Sequence, residues 1–275
     1  MKEKTFNEET VKEAVQGVMN MEVPRRDFLA TACKVLAAGI LAPIGGLAPI
    51  QKSSFAGEAG GETDWTRIWE GKQWGFVVDT EKCIGCARCV NACKQENKVP
   101  QDQEVFRTWV ERYVETPEGI RIDSPNGGLD FEPLEETEEK QFFVPKLCNQ
   151  CENPPCVQVC PVSATYRTGD GVVLVDAKRC VGCRYCIQAC PYGARFLHPK
   201  THVADKCTWC YHRVVKGLRP ACVTVCPVGA RKFGNLRDLK DPVTEIIRKE
   251  RIRGLKPDMG TKPQVFYLGL DEVVV

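Results

Sequence analysis

The spacing of its cysteines constrains this chain more than any other feature. Sixteen of the 17 cysteines fall into four groups of four: Cys83, Cys86, Cys89, Cys93; Cys148, Cys151, Cys156, Cys160; Cys180, Cys183, Cys186, Cys190; and Cys207, Cys210, Cys222, Cys226. The first and third quartets share the spacing C-x2-C-x2-C-x3-C, the bacterial ferredoxin run. Two intervening residues let three thiolates on one tight loop reach three irons of one cubane. The fourth cysteine, a helical turn further on, points away and ligates the other cluster of a pair. Gly85 and Gly182 lie inside these loops, where the missing Cβ is expected to let the backbone curl around the inorganic core.

The second quartet is C-x2-C-x4-C-x3-C and the fourth is C-x2-C-x11-C-x3-C, enlarged loops that still permit three-corner capture. Proline follows the last cysteine in three quartets, at Pro161, Pro191 and Pro227, and ends the local turn; the first has Lys94 instead. Structural zinc needs only paired C-x2-C knuckles and has no use for the repeated tail. A disulfide framework does not require these spacings either. With cysteine at all sixteen positions, four [4Fe-4S] clusters are expected.

The formal charge of +2 gives no basic field that would attract nucleic acid. Residues 1–56 hold 7 Lys/Arg and 6 Asp/Glu, so the chain without them carries +1. Four oxidised clusters at about −2 each bring the holoprotein to about −7. Lys94, Arg184, Arg195, Lys206 and Arg213 lie near the quartets and are candidates for raising cluster potentials, although each taken singly is expected to be a solvated surface charge.

Pro24-Arg25-Arg26-Asp27-Phe28-Leu29 precedes an apolar stretch, Ala30 to Ile50, and looks like a twin-arginine export signal. Val35 to Ile50 is only 16 uncharged residues and is rich in Gly and Pro, so a retained anchor is the second reading. Ser54-Phe55-Ala56 suits cleavage after Ala56, which starts the mature protein at Gly57. Cys33 sits near the start of the apolar stretch and reads as part of the leader. Val11, Ala14, Val15, Val18 and Met19 share one face of a short helix, a dock for an export chaperone or a simple leader. The twin-arginine route moves folded proteins, so thiols would be occupied by metal before meeting an oxidising compartment.

Between the second and third quartets, Thr165-Tyr166-Arg167, Gly169-Asp170-Gly171 and Val172 to Val175 read as a hairpin. Residues 94–147 form a long insertion with a strand-like Val105–Val114, a turn at Pro117-Glu118-Gly119 and an acidic loop Glu132–Glu139. The fold class expected is α+β: two ferredoxin-like two-cluster lobes related by pseudo-symmetry, with a β-rich insertion. The expected divisions are a signal at 1–56, a first lobe with its insertion at 57–141 completed by 200–240, a second lobe at 142–199, and the fourth quartet with a tail at 200–275.

Cys83-Ile84-Gly85-Cys86, Cys190-Pro191-Tyr192-Gly193-Ala194-Arg195, Lys206-Cys207-Thr208-Trp209-Cys210, Pro220-Ala221-Cys222 and Phe233-Gly234-Asn235-Leu236 carry a resemblance. Over residues 74–240 the chain resembles the four-cluster iron–sulfur subunits of dimethyl sulfoxide, polysulfide, tetrathionate and nitrite reductase systems. The resemblance implies that the outer quartets share one cluster pair and the inner quartets the other. The implied ligand sets are Cys83, Cys86, Cys89 with Cys226; Cys207, Cys210, Cys222 with Cys93; Cys148, Cys151, Cys156 with Cys190; and Cys180, Cys183, Cys186 with Cys160. It also implies a periplasmic relay, attached to the membrane through an integral quinone-interacting subunit of the polysulfide reductase type, with a molybdopterin subunit or cytochrome c as the other partner. Val265 to Val275 is too short and too acidic to anchor the protein, so a partner is expected to do so.

Other functions fit the same residues less well. An enzyme would need a catalytic constellation, and the sequence has no Gly-rich phosphate loop or nucleophile motif and only three histidines: His198, His202 and His212. These are expected to be structural or solvent-facing, and Trp209 to shield a cluster from water. A freely diffusing polyferredoxin and a structural zinc protein are the competing classes.

Overall fold

The computed structural model describes residues 70–133 and 140–274. Arg25-Arg26, Cys33, the cleavage site after Ala56, the apolar face within 11–19 and residues 134–139 of the acidic loop lie outside them. The strands are β1 Trp74–Asp79, β2 Thr108–Thr116, β3 Gly119–Asp123, β4 Lys140–Leu147, β5 Thr165–Arg167, β6 Val173–Val175, β7 Arg195–Leu197, β8 Ala204–Lys206, β9 Arg231–Asn235, β10 Ile252–Arg253 and β11 Val265–Leu268. The helices are α1 Arg88–Glu96, α2 Pro155–Gln158, α3 Tyr185–Gln188, α4 Tyr211–Val214, α5 Ala221–Thr224 and α6 Pro242–Lys249. Short helices that follow cysteine loops, joined by small sheets, make the α+β architecture that the quartets imply.

Proline placement sets the helix lengths. Pro161 and Pro191 follow the fourth cysteine of their quartets, and α2 and α3 stop at four residues. Proline at those positions cannot continue the backbone ladder and biases its predecessor away from helix. Lys94 imposes no such stop, so α1 runs through Cys93 for nine residues.

The four-stranded sheet has the order β10-β11-β1-β9. β1 pairs in parallel with β11, Phe76 opposite Val265, and antiparallel with β9, Phe76 opposite Phe233. A central strand covered on both faces needs an apolar run, and Phe76, Val77 and Val78 are fully buried. The tail after residue 240 is therefore not peripheral: Val265 and Tyr267 are in the core, and Glu152 N–H bonds Lys262 O at 2.9 Å beside the second quartet. Gln264 N–H bonds Asn149 O at the same distance.

The insertion is a three-stranded antiparallel sheet, β3-β2-β4, with Thr108 opposite Leu147. Its first strand starts three residues later than Val105 because Arg107 is held by Asn97 Oδ1 at 2.9 Å and by Asp205 at 2.8 Å. The hairpin at 165–175 forms as β5–β6, with Thr165 opposite Val175. Trp209 is 1% exposed against Phe76 and Phe233, with ring centroids 6.3 and 5.5 Å away, and each such pair contributes about 1 kcal/mol beyond its burial. No helix among the described residues is long and apolar enough to cross a membrane.

Candidate metal centres

The loops that present the cysteines are built on left-handed backbone. Gly85 and Gly182 have φ of 70° and 69°, followed after one cysteine by Ala87 and Arg184 at 49° and 67°. A Cβ at Gly85 would lie 2.4 Å from the Phe143 ring, and one at Gly182 would lie 2.5 Å from the His202 carbonyl oxygen. Protein packed behind the loop therefore leaves no room for a side chain at these two positions.

Residues far apart in sequence converge on two cavities. One is lined by Cys83, Cys86, Cys89 and Cys226, with Ile84, Pro227 and Arg231 in its wall. The other is lined by Cys148, Cys151, Cys156 and Cys190, with Tyr192 and Arg195. Cys93 lies near Cys207, Cys222 and Cys210; burial drives its thiol well above the ordinary value, and those neighbours push in the same direction. For Cys160, Cys180, Cys183 and Cys186, the structure supplies the packing of α2 against α3 and two N–H···S bonds. These run from Thr165 to Cys160 Sγ at 3.5 Å and from Ala204 to Cys180 Sγ at 3.4 Å.

All sixteen thiols are free of disulfides. Burial pushes Cys83 and Cys222 up to about 11 and Cys151 up to about 12. Among the described residues no three His, Cys, Asp or Glu side chains converge on a single metal ion. An iron–sulfur cluster needs cysteine sulfurs to ligate its irons, main-chain N–H groups aimed at sulfur and compensating positive charge. All three are present, and the third is the most telling: Arg231 is buried with Nε and Nη1 unbonded, beside Cys89, Cys222 and Cys83. Such a cation requires an anion of the kind a cluster supplies.

The five basic residues that stand near the quartets in sequence divide sharply. Arg184 is exposed, and Arg213 pairs with Glu96 at 2.9 Å. Lys94, Arg195 and Lys206 are buried, against the expectation of solvated charges. Lys94 turns from the thiols: Nζ bonds Gln103 O at 2.9 Å and lies 4.2 Å above the Phe106 ring. Arg195 donates Nη2 to Cys156 Sγ at 3.1 Å. Lys206 donates to the carbonyls of Val173 and Cys207, and its full burial pulls its ammonium pKa down. Arg231 is not among the five, although the sequence holds a signal for it: Cys226-Pro227-Val228-Gly229-Ala230-Arg231 repeats Cys190 to Arg195 in all but one residue. His212 faces Glu96 Oε1 at 2.7 Å, and His198 Nδ1 accepts the Thr201 N–H at 3.2 Å.

A sequence profile described as a 4Fe-4S dicluster domain matches residues 139–236, and a second of the same description matches 82–164. The tetrathionate reductase B subunit of Salmonella typhimurium is 40% identical over 259 residues, 94% of this chain and 92% of that protein. Its namesake in Archaeoglobus fulgidus is 44% identical over 78% of this chain and 89% of its own. The B component of polysulfide reductase from Wolinella succinogenes is 40% identical over 71% of this chain and 93% of its own. Two dicluster matches and sixteen free cysteines in four quartets make four [4Fe-4S] clusters the cofactors of this protein. It belongs to the four-cluster ferredoxin-type iron–sulfur subunits of respiratory reductases.

Proposed function

We propose that this protein relays electrons through its four clusters in a fixed order. Cluster 1 is held by Cys83, Cys86, Cys89 and Cys226, and cluster 2 by Cys207, Cys210, Cys222 and Cys93. Cluster 3 is held by Cys148, Cys151, Cys156 and Cys190, and cluster 4 by Cys180, Cys183, Cys186 and Cys160. The observation that carries the order is exposure. Cys86 and Cys183 are the two exposed ligands of the sixteen, one in each terminal set, while Cys207 and Cys148 are near neighbours in the interior. Such a wire has both ends at the surface and its joint buried. The clusters supply one-electron transfer; the protein's residues hold them, exclude water and present the ends. Ile84 beside Cys86, and Val181 and Tyr185 beside Cys183, leave apolar surface at each end for redox partners.

The outer lobe joins 57–141 to 200–240, and the inner lobe spans 142–199. The leader at 1–56 delivers the folded holoprotein by the twin-arginine route to the periplasmic face, where Gly57 is the first residue. The partners are an integral-membrane, quinone-reactive subunit of the polysulfide reductase type and a molybdopterin or cytochrome c partner. The names of the relatives, components of tetrathionate and polysulfide reductases, support this assembly.

Affinity purification from solubilised membranes tests the proposal. A co-purifying multi-span protein whose reduced quinone bleaches the cluster absorbance near about 400 nm is the expected result. Recovery of the protein alone from the soluble periplasm supports the alternative, a diffusing polyferredoxin. Cys83→Ser should alter the cluster 1 signal and leave clusters 3 and 4 intact. Loss of a signal from the second pair would overturn the ligand sets.

A further inference from the structure

Three cysteine-proline turns in this chain share one geometry. Cys160-Pro161-Val162-Ser163-Ala164-Thr165, Cys190-Pro191-Tyr192-Gly193-Ala194-Arg195 and Cys226-Pro227-Val228-Gly229-Ala230-Arg231 each close with an N–H bond from the fourth residue to the cysteine carbonyl, at 3.2, 3.4 and 3.4 Å. Ser163, Gly193 and Gly229 take φ of 51°, 61° and 63°. In each case the sixth residue opens a strand: Thr165 in β5, Arg195 in β7, Arg231 in β9. The turn therefore places a fixed position, five residues beyond a ligand, against the neighbouring ligand set.

At two of these positions stands a buried arginine, each steered by one threonine hydroxyl. Arg231 Nη2 donates to Thr108 Oγ1 at 2.9 Å, and Arg195 Nη1 donates to Thr165 Oγ1 at 3.3 Å. The titratable neighbours of Arg231 are Cys89 and Cys83 of set 1, Cys222 of set 2 and Tyr267. Those of Arg195 are Cys156 and Cys148 of set 3 and Cys186 of set 4. A third buried cation, Lys206, lies beside Cys148 and Cys156 of set 3 and Cys207 of set 2. Among the described residues none of the three forms an ion pair with a carboxylate, in contrast to Arg107 and Arg112.

We infer that Arg231, Lys206 and Arg195 are positioning residues, one buried cation at each junction of the relay, which raise the potentials of the two clusters they separate. The inference rests on the ligand sets proposed above. Burying an uncompensated cation is costly, so a protein that places three of them between thiolate groups gains something that only those anions supply. A positive charge near a cluster favours its reduced, more negative state, and in a low-dielectric junction it acts on both sides. Placing one cation at every junction lifts the four potentials together and keeps any interior cluster from becoming a barrier.

The test is EPR-monitored redox titration of the four-cluster holoprotein carrying Arg231→Gln, Lys206→Gln or Arg195→Gln, with iron content measured on the same samples. Each variant should lower two potentials by roughly tenfold in the reduced-to-oxidised ratio at the wild-type midpoint, about 59 mV for a one-electron couple. The affected pairs should step along the wire: clusters 1 and 2, then 2 and 3, then 3 and 4. Arg231→Lys and Arg195→Lys should return the potentials most of the way to wild type. Full iron content with four unmoved potentials overturns the inference. So does loss of iron in both the Gln and the Lys variants at one site, which would mark a purely structural fork of hydrogen bonds. Failure of the ligand sets is distinguishable, because it appears as a wrong pair of signals lost in Cys83→Ser.

Discussion

Trp74 donates its indole N–H to Asp170 Oδ2 at 2.8 Å, joining β1 to the hairpin turn between β5 and β6. Asp170 is 2% exposed and also takes the Tyr211 hydroxyl at 3.3 Å, one residue beyond ligand Cys210. Asp170→Ala removes the carboxylate acceptor of the Trp74 indole N–H, and should cost about 1.5–3 kcal/mol, the usual worth of a hydrogen bond to a charged group. The check is the midpoint of thermal bleaching of the cluster absorbance, which should fall without loss of iron at room temperature.

The two loop glycines should differ in tolerance. Alanine at either meets an unfavourable left-handed φ, which costs about 1–2 kcal/mol. At Gly85 the obstacle is the Phe143 ring, which can shift; at Gly182 it is the His202 carbonyl, part of the backbone. Gly182→Ala should therefore lose its cluster first, and iron-to-protein ratios of the two purified variants measure this.

Trp209 separates size from polarity. Its Nε1 is buried without a partner, so the indole N–H contributes no bond that phenylalanine would forfeit. Trp209→Phe should be mild, whereas Trp209→Ala opens a cavity against Phe76 and Phe233 and should cost about 3–5 kcal/mol. Rates of cluster loss in air, measured side by side, should rank wild type, Phe and Ala in that order.

Glu96 confers an acid sensitivity. The His212 hydrogen bond, helped by Arg213, holds its carboxyl below the ordinary value of 4.5. A folded-state value lower than the unfolded one adds stability at pH values above 4.5, and that stability is lost as the pH falls through the folded value. The pair ties α1 of the first quartet to α4 of the fourth. Glu96→Gln should reduce stability near neutral pH by about 1 kcal/mol or less and flatten its decline below about pH 5, read as unfolding midpoints across that range.

Iron removal should unfold more than the loops. With the clusters gone, Arg231, Lys206 and Arg195 lose their counter-charge while still buried, and ligation free energy is folding free energy. Chelation after oxidation should abolish cooperative unfolding by circular dichroism, and a compact apoprotein with a sharp transition would contradict this.

Spacing by itself determined a great deal here. The C-x2-C-x2-C-x3-C runs specify a cubane locally, because three thiolates within seven residues have one way to surround a common centre. Thr165–Arg167 and Val173–Val175 declared their hairpin through β-branched residues around glycines. Local pattern carries no information about depth, however. Lys94, Arg195 and Lys206 look like ordinary surface charges in sequence and are buried: Lys94 turns back on Gln103 and Phe106 of the following loop, and Arg195 and Lys206 meet Cys156 and Val173 from distant segments. Spacing alone does not bring Cys226 to Cys83 across 143 residues; the family resemblance implied it and the fold lines one cavity with both. Only the parallel pairing of Val265 with Phe76 made the tail a core strand. Burial and charge compensation are sums over non-local neighbours, so the ligand loops were legible in the sequence, and the environment of Arg231 existed only once the protein had folded.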